Sequence, residues 1–139
     1  MKFHHIGIFV RKINDAKKIL QEQVKIKSCS KIFKDRKLKV KVVFILDKNN
    51  IRYELVEPYG KGNPVDKVLK KKVNLLNHLG YKVTKFDKWC SYFRNLGYGF
   101  LTIPQKAVAF KHSRVVFMLS PLGFIVELIE QSSDKKLTK

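Results

Sequence analysis

Apolar residues alternate, then recur at helical spacing, then alternate again in the first half of the chain. Residues 4–10 (HHIGIFV) alternate apolar and other side chains, which predicts a strand. Residues 13–24 (INDAKKILQEQV) repeat apolar positions every three or four residues and predict an amphipathic helix, capped by Asn14 or Asp15. Three β-rich segments follow, near residues 25–33, 40–46 and 51–56.

The second half of the chain shows the same order. Residues 77–83 predict a strand, and the helix after it is expected to be capped by Asp87 and ended by Gly97. Its apolar stripe consists of Phe86, Trp89, Phe93 and Leu96. The later β-rich segments lie near residues 98–103, 115–119 and 124–129.

The two halves are copies of one module. A shift of 73 positions aligns HHIGIFV with NHLGYKV, KVVFILD with RVVFMLS, and IRYELVE with FIVELIE, without gaps. One constant shift over separated segments predicts an internal structural repeat. We therefore expect a single α+β domain of two tandem βαβββ modules, at about 1–57 and 74–131, that form a curved mixed sheet. A linker with a short helix would occupy about 58–73, and a tail would occupy 132–139.

Four polar residues are predicted to face away from the helices. Side chains alternate between the two faces of a strand, so His5 and His78 point opposite to the apolar residues beside them. The same argument applies to Glu54 and Glu127 in the last strand of each module. The shift of 73 relates the two histidines and also relates the two glutamates.

These four residues predict a metal site in a central trough of the sheet. A single buried histidine is more often a hydrogen-bonded core residue, and a single glutamate in an apolar strand more often lies at an edge or in an ion pair. Their equivalence under one shift favours metal binding by His5, Glu54, His78 and Glu127. Two imidazoles and two carboxylates suit a divalent ion such as Ni, Co, Zn, Mn or Fe. His4 is expected to face the helix or to lie behind the ligands, His112 is expected at the surface, and Cys29 and Cys90 are expected to be structural or incidental.

The positive charge of the chain raises the question of a polyanionic partner. Thirty Lys and Arg residues against 11 Asp and Glu give a formal net charge of +19. The lysines are scattered, no nucleic-acid-binding motif competes with the repeat, and solvated surface lysine is the simpler explanation. Nucleic acid is therefore an unlikely partner, whereas a basic rim for an anionic small molecule fits. Two cysteines and no apolar run of membrane length predict a cytoplasmic protein without a membrane anchor.

The segments FHHIGIFV, IRYELVEP, NHLGYKV and GFIVELIE resemble the vicinal oxygen chelate superfamily, which includes glyoxalase I, methylmalonyl-CoA epimerase, extradiol dioxygenases and bleomycin-resistance proteins. The connector ELVEPYGKGNPVDKVLKKK looks most like the epimerase branch. The superfamily's four ligand positions fall on the four residues already selected. The segment TIPQKAVAFKHSRVVFMLSPLG departs from the Gly-rich segment and His-Pro turn of epimerases.

The resemblance implies a metal-dependent epimerase or isomerase that abstracts a proton next to a carbonyl. Glu127 is expected to be the primary base and Glu54 the second catalytic carboxylate. No further cofactor-binding residue is expected. Glyoxalase I-type lactoylglutathione lyase activity and a non-catalytic small-molecule-binding protein are the alternatives. The substrate would be a small anion such as an acyl-CoA or a glutathione adduct, and the superfamily makes a homodimer possible.

Overall fold

The fold is described from a computed structural model, which covers residues 1–60, 62, 69 and 74–132. Most of the expected linker helix over 58–73 and nearly all of the expected tail lie outside these residues. The chain divides into two compact units, one formed by His5–Asn77 and the other by Met1–His4 with His78–Lys139. Each unit contains most of one copy of the repeat, and each is described separately below.

Two α-helices and the ten strands of a mixed open sheet form the described residues, which confirms the α+β class. The elements of the first repeat are β1 (Lys2–Phe9), α1 (Ile13–Gln23), β2 (Ile26–Cys29), β3 (Phe33–Asp35), β4 (Val40–Asp47) and β5 (Arg52–Pro58). The elements of the second repeat are β6 (Leu75–Val83), α2 (Phe86–Asn95), β7 (Gly99–Phe100), β8 (Gln105–Ala107), a 3-10 turn (Val108–Phe110), β9 (Ser113–Leu119) and β10 (Ile125–Glu130).

The first β-rich segment after each helix differs from the prediction. In the first repeat it is broken into β2 and β3, and in the second only Gly99–Phe100 of the expected 98–103 is strand. Pro104 lacks a backbone N–H and so cannot extend the ladder from β7. The chain resumes pairing in β8, which the sequence pattern did not predict. Each repeat thus has four strands after its helix where three were expected.

Strand pairing shows that the two repeats share one register. In the first repeat β4 pairs antiparallel with β5, and β5 pairs parallel with β1, which places Glu54 beside Gly7. In the second repeat β9 pairs antiparallel with β10, and β10 pairs parallel with β6, which places Glu127 beside Gly80. The shift of 73 found in the sequence is therefore also the shift between the paired residues. This register sets the position of both carboxylates.

Each helix covers one apolar core. The core of the first repeat contains Val10, Ile13, Ala16, Leu20, Val43, Ile45 and Leu55. The core of the second contains Val83, Phe86, Cys90, Phe93, Val116, Met118, Val126 and Leu128. The helical spacing predicted for α1 agrees with the burial of Ile13, Ala16 and Leu20, but Leu96, which follows the last residue of α2, is 54% exposed and does not belong to the core. Cys90, which was not in the predicted stripe, is buried. It lies one turn after Phe86 and therefore shares the helix face that packs on the core.

The helices begin differently from the prediction. Asn14 and Asp15 do not cap α1: its first residue, Ile13, donates its backbone N–H to Glu57 Oε1 over 2.7 Å. Asp87 does not cap α2 either, and it binds a guanidinium instead. The acceptor for α1 comes from the end of β5, far along the chain, so a rule based on adjacent residues could not identify it.

Arg114 joins the start of α2 to the end of the sheet. Its guanidinium donates two hydrogen bonds of 3.0 Å to Asp87 and two, of 2.8 Å and 3.3 Å, to Glu130. These hydrogen bonds lower the pKa values of both carboxyls. The repeat-equivalent pair in the other unit, Lys41 and Glu57, is 3.8 Å apart and makes a weaker contact.

We expect Arg114→Ala to lower the free energy of unfolding by at most about 1 kcal/mol at neutral pH, because the charge-assisted hydrogen bonds to part-buried Glu130 are lost, whereas solvent screens the pair with exposed Asp87. The carboxyls of Asp87 and Glu130 have lower pKa values in the folded state than in the unfolded chain. The contribution of Arg114 to stability is therefore complete when the pH is above the unfolded-state pKa of about 4, and it is lost as the pH falls through the lower folded-state pKa values. Urea unfolding at pH 7 and at pH 3 measures the loss of stability and its dependence on pH. Lys41→Ala is the matched control and should lower the free energy of unfolding by less than Arg114→Ala does. If Arg114→Ala lowered the free energy of unfolding equally at pH 7 and at pH 3, the ionic explanation would be wrong.

Exposed lysines lie on the short strands beside β4. Lys27 of β2 and Lys34 of β3 are exposed, and Lys34 Nζ lies 4.4 Å from the centre of the Tyr59 ring. Strand β2 is at one end of the strand order, and a charged side chain on such a strand opposes pairing with another chain. Part of the charge of +19 is thus accounted for without any ligand.

Candidate metal centre

The first candidate half-site combines one residue from β1 with one from β5. His5 Nε2 lies 3.4 Å from Glu54 Oε1, and the side chains are only 0% and 5% exposed. Ile8 packs on the core beneath α1, so alternation along β1 turns His5 to the other face of the strand. Parallel pairing then brings Glu54 beside Gly7, two residues from His5. The structure thus brings the side chains of His5 and Glu54 together, and their role as metal ligands stays a prediction.

The second candidate half-site repeats the first. His78 Nε2 lies 3.3 Å from Glu127 Oε1, and the side chains are 1% and 3% exposed. Glu127 pairs with Gly80, as Glu54 pairs with Gly7. Val126 and Leu128, on either side of Glu127, belong to the core under α2, which turns the carboxylate to the opposite face. The same two residue types, with the same atoms adjacent, occur in both repeats.

These pairs have the chemistry of metal ligands. Moving a carboxylate out of water is costly unless it is paired or ligated, and each glutamate here is nearly fully buried. His5, Glu54, His78 and Glu127 are groups that could hold a metal ion. Ligand atoms about 2.0 to 2.2 Å from a shared ion are roughly 3 to 3.5 Å from each other. The observed separations of 3.4 Å and 3.3 Å within the pairs fit that requirement.

An aromatic ring lies beside each histidine, and the sequence analysis did not select either one. Phe44 contacts His5 with ring centroids 6.0 Å apart, and Phe117 contacts His78 at 5.3 Å. The two phenylalanines are related by the shift of 73 and occupy the same place in the aligned segments KVVFILD and RVVFMLS. The alignment itself was therefore the signal that could have identified them.

The other histidines and the cysteines have different surroundings from the two pairs. His4 is half-buried with its ring against Phe110, and His112 is exposed in a left-handed turn. Cys29 and Cys90 are free thiols. Burial and then the charge of Asp87 raise the pKa of the Cys90 thiol, which keeps it protonated and unreactive at neutral pH.

Comparison with known proteins identifies the family. Residues 4–117, which include His5, Glu54 and His78, match the Glyoxalase/Bleomycin resistance protein/Dioxygenase superfamily. The chain belongs to this superfamily. The resemblance inferred from the four sequence segments is thus confirmed, and many members of the superfamily are enzymes that use a divalent metal. No curated protein matches the chain by sequence.

Solved structures show the same fold at low sequence identity. Methylmalonyl-CoA epimerase from Mycobacterium tuberculosis is 18% identical, with a TM-score of 0.77 over 98% of this chain and 91% of that one. A hypothetical protein from Bacillus halodurans is 21% identical, with a TM-score of 0.73 over 94% of each chain. A Streptomyces coelicolor methylmalonyl-CoA epimerase variant, in complex with 2-nitronate-propionyl-CoA, is 17% identical, with a TM-score of 0.71 over 94% of this chain and 97% of that one.

Membrane insertion through a helix finds no support in the described ranges. Neither α1 nor α2 has the length and apolar character that crossing a bilayer requires.

Proposed function

We propose that His5, Glu54, His78 and Glu127 bind one divalent metal ion, with an imidazole and a carboxylate from each repeat. Membership of the superfamily, the burial of all four side chains and the Nε2–Oε1 separations within each pair support this proposal. Mixed nitrogen and oxygen ligands suit Ni, Co, Zn, Mn or Fe. All four side chains belong to strands, so the backbone ladder limits their movement before any ion binds.

We further propose that the protein is a metal-dependent isomerase of the methylmalonyl-CoA epimerase kind. The observation that carries this proposal is the presence of a buried carboxylate in the same strand register of each repeat, Glu54 beside Gly7 and Glu127 beside Gly80. Epimerisation removes a proton from one face of a carbon and returns one to the other face. Two carboxylates provide one acceptor and one donor for that exchange.

The roles of the side chains follow from this assignment. A bound divalent metal supplies a Lewis acid that stabilises negative charge on the carbonyl oxygen of the substrate. Glu127 accepts the proton from the carbon next to that carbonyl, and Glu54 gives a proton back. His5 and His78 lie within 3.4 Å and 3.3 Å of these carboxylates and hold them in place. The glycines opposite the glutamates add no side chain to the space where the substrate would react.

An acyl-CoA is the proposed substrate class. The structures of similar fold include epimerases, and one is in complex with methylmalonyl-CoA and an ammonium ion. The phosphates of a CoA derivative are anionic, and the net charge of +19 favours such a molecule over a cationic one. The cytoplasmic location and the homodimer stay predictions.

Solvent exchange tests the proposed function. Purified protein loaded with cobalt is expected to incorporate one deuteron from D₂O into methylmalonyl-CoA at the carbon between the two carbonyl groups, detected by mass spectrometry. A glyoxalase I-type lyase is the second candidate, because Glu54 also fits the glyoxalase ligand set. Turnover of a methylglyoxal–glutathione hemithioacetal without deuterium exchange would favour it. Metal binding with neither activity would favour a small-molecule-binding protein.

A further inference from the structure

We infer that Phe44 and Phe117 are positioning residues that fix the orientation of the imidazoles of His5 and His78 toward the metal. This inference rests on the proposed metal site, and it adds two residues that bind no metal themselves. The observations come from each unit separately. In both repeats a phenylalanine ring contacts the imidazole, and a hydroxyl group accepts a hydrogen bond from the backbone N–H of that phenylalanine.

In the first repeat Phe44 lies beside both members of the half-site. Antiparallel pairing of β4 with β5 places Phe44 directly opposite Glu54. Its ring meets the imidazole of His5 edge to face, with centroids 6.0 Å apart and planes at 66°. Phe33 contacts the Phe44 ring in turn, at 6.2 Å between centroids. The Phe44 ring is therefore held between Phe33 and the histidine.

In the second repeat Phe117 occupies the same place. Antiparallel pairing of β9 with β10 places it directly opposite Glu127. Its ring meets the imidazole of His78 edge to face, with centroids 5.3 Å apart and planes at 85°. The aromatic contact to the histidine is thus shorter and closer to perpendicular here than in the first repeat.

A hydroxyl group fixes the backbone of each phenylalanine. The N–H of Phe44 donates to Ser30 Oγ over 2.9 Å, and the N–H of Phe117 donates to Thr102 Oγ1 over 3.0 Å. Thr102 is not at the position that the shift of 73 assigns to Ser30, which is Ile103. The hydrogen bond therefore recurs in both repeats although the residues that accept it are not aligned. This recurrence indicates that the position of each phenylalanine is constrained.

Ring packing of this kind acts on the rotation of the imidazole. The torsion between Cβ and a planar ring has broad energy minima, so a histidine side chain needs neighbours to hold Nε2 in one direction. Loss of a hydrogen-bonded partner of a metal-ligating histidine typically lowers metal affinity by about ten- to a hundredfold, and a ring that only limits the rotation of the imidazole is expected to act at the lower end of that range. Leucine in place of phenylalanine keeps the site apolar but removes the flat ring, so we expect the imidazole to sample further orientations.

The test measures cobalt binding to the full-length protein. Phe44→Leu and Phe117→Leu are each expected to weaken Co²⁺ affinity about tenfold and to shift the visible absorption bands of the cobalt form, which report ligand geometry. Phe44→Tyr and Phe117→Tyr keep the ring and are expected to restore both affinity and spectrum. Phe100→Leu is the matched control, because Phe100 is a phenylalanine of the same repeat that packs on the core beneath α2.

The outcomes separate this inference from the proposed metal site. If the unaltered protein binds cobalt and both leucine variants keep its affinity and spectrum, the positioning role is wrong and the metal site stands. If the unaltered protein binds no cobalt, the metal site is wrong and the positioning role is wrong with it. An equal loss in Phe100→Leu would show general loosening and would overturn the inference. Should the leucine variants not fold, Thr102→Val at an exposed position is expected to shift the bands, and unchanged bands would contradict the inference.

Discussion

Replacing His78 by alanine is expected to lower bound metal from about one ion per chain to well below one, with affinity reduced more than about a hundredfold. The substitution removes a proposed nitrogen ligand, the imidazole whose Nε2 is 3.3 Å from Glu127 Oε1. The same loss is expected for His5→Ala in the other repeat. Elemental analysis after dialysis against a metal buffer gives the stoichiometry, and titration with Co²⁺ gives the affinity.

The matched control for the histidine variants is His112→Ala, since His112 is exposed and has no counterpart in the repeat. It should keep both stoichiometry and affinity. Removing His78 also leaves Glu127 buried without that partner, which can cost several kcal/mol of stability. Circular dichroism of the metal-free variants must therefore show a folded chain before affinities are compared. Full metal binding by folded His78→Ala would refute the ligand assignment.

Replacing Glu127 by glutamine is expected to reduce deuterium exchange into methylmalonyl-CoA by about 10²- to 10⁴-fold, the usual contribution of a general base. Glutamine has nearly the same shape and can still place an oxygen near the metal, but its amide cannot accept the proton. The assay is run at saturating cobalt, with metal content determined on the same samples, so that loss of the ion is not mistaken for loss of the base.

The control for this variant is Glu22→Gln, which neutralises an exposed carboxylate of α1. Its exchange rate should equal that of the unaltered protein. If Glu127→Gln exchanges at the normal rate while Glu54→Gln does not, the two carboxylates have the opposite roles to those proposed. If both variants exchange normally, carboxylate catalysis at these positions is wrong.

The periodic part of the fold was predictable from the sequence, because a constant shift of 73 survives in the strand register. The pairs Gly7–Glu54 and Gly80–Glu127 occupy equivalent places in the two ladders. Alternation along the strands was sufficient to place both carboxylates on the face away from the helix, since Val126 and Leu128 need burial. Because each histidine and its glutamate share that face and the register places them on neighbouring strands, the two side chains of each pair come together.

The parts that were not predictable depend on contacts distant in sequence. Glu57 accepts the N–H of Ile13 across 44 positions, so the start of α1 could not be identified from Asn14 or Asp15. The division between β7 and β8 depends on Pro104 and on pairing with β9, which local composition does not reveal. The phenylalanines beside the histidines look like ordinary core residues in sequence, since only the folded ladder shows what lies opposite them.

The parallel pairing of β1 with β5 has a consequence for how the chain folds as it leaves the ribosome. β1 is made first, but the ladder that joins it to β5 cannot form until Arg52–Pro58 has emerged. Pairing across so long a loop is slow compared with helix formation, and an unpaired strand is prone to associate with other chains. The same delay recurs between β6 and β10. Nascent chains are therefore expected to be most vulnerable to aggregation just before each repeat completes its final strand.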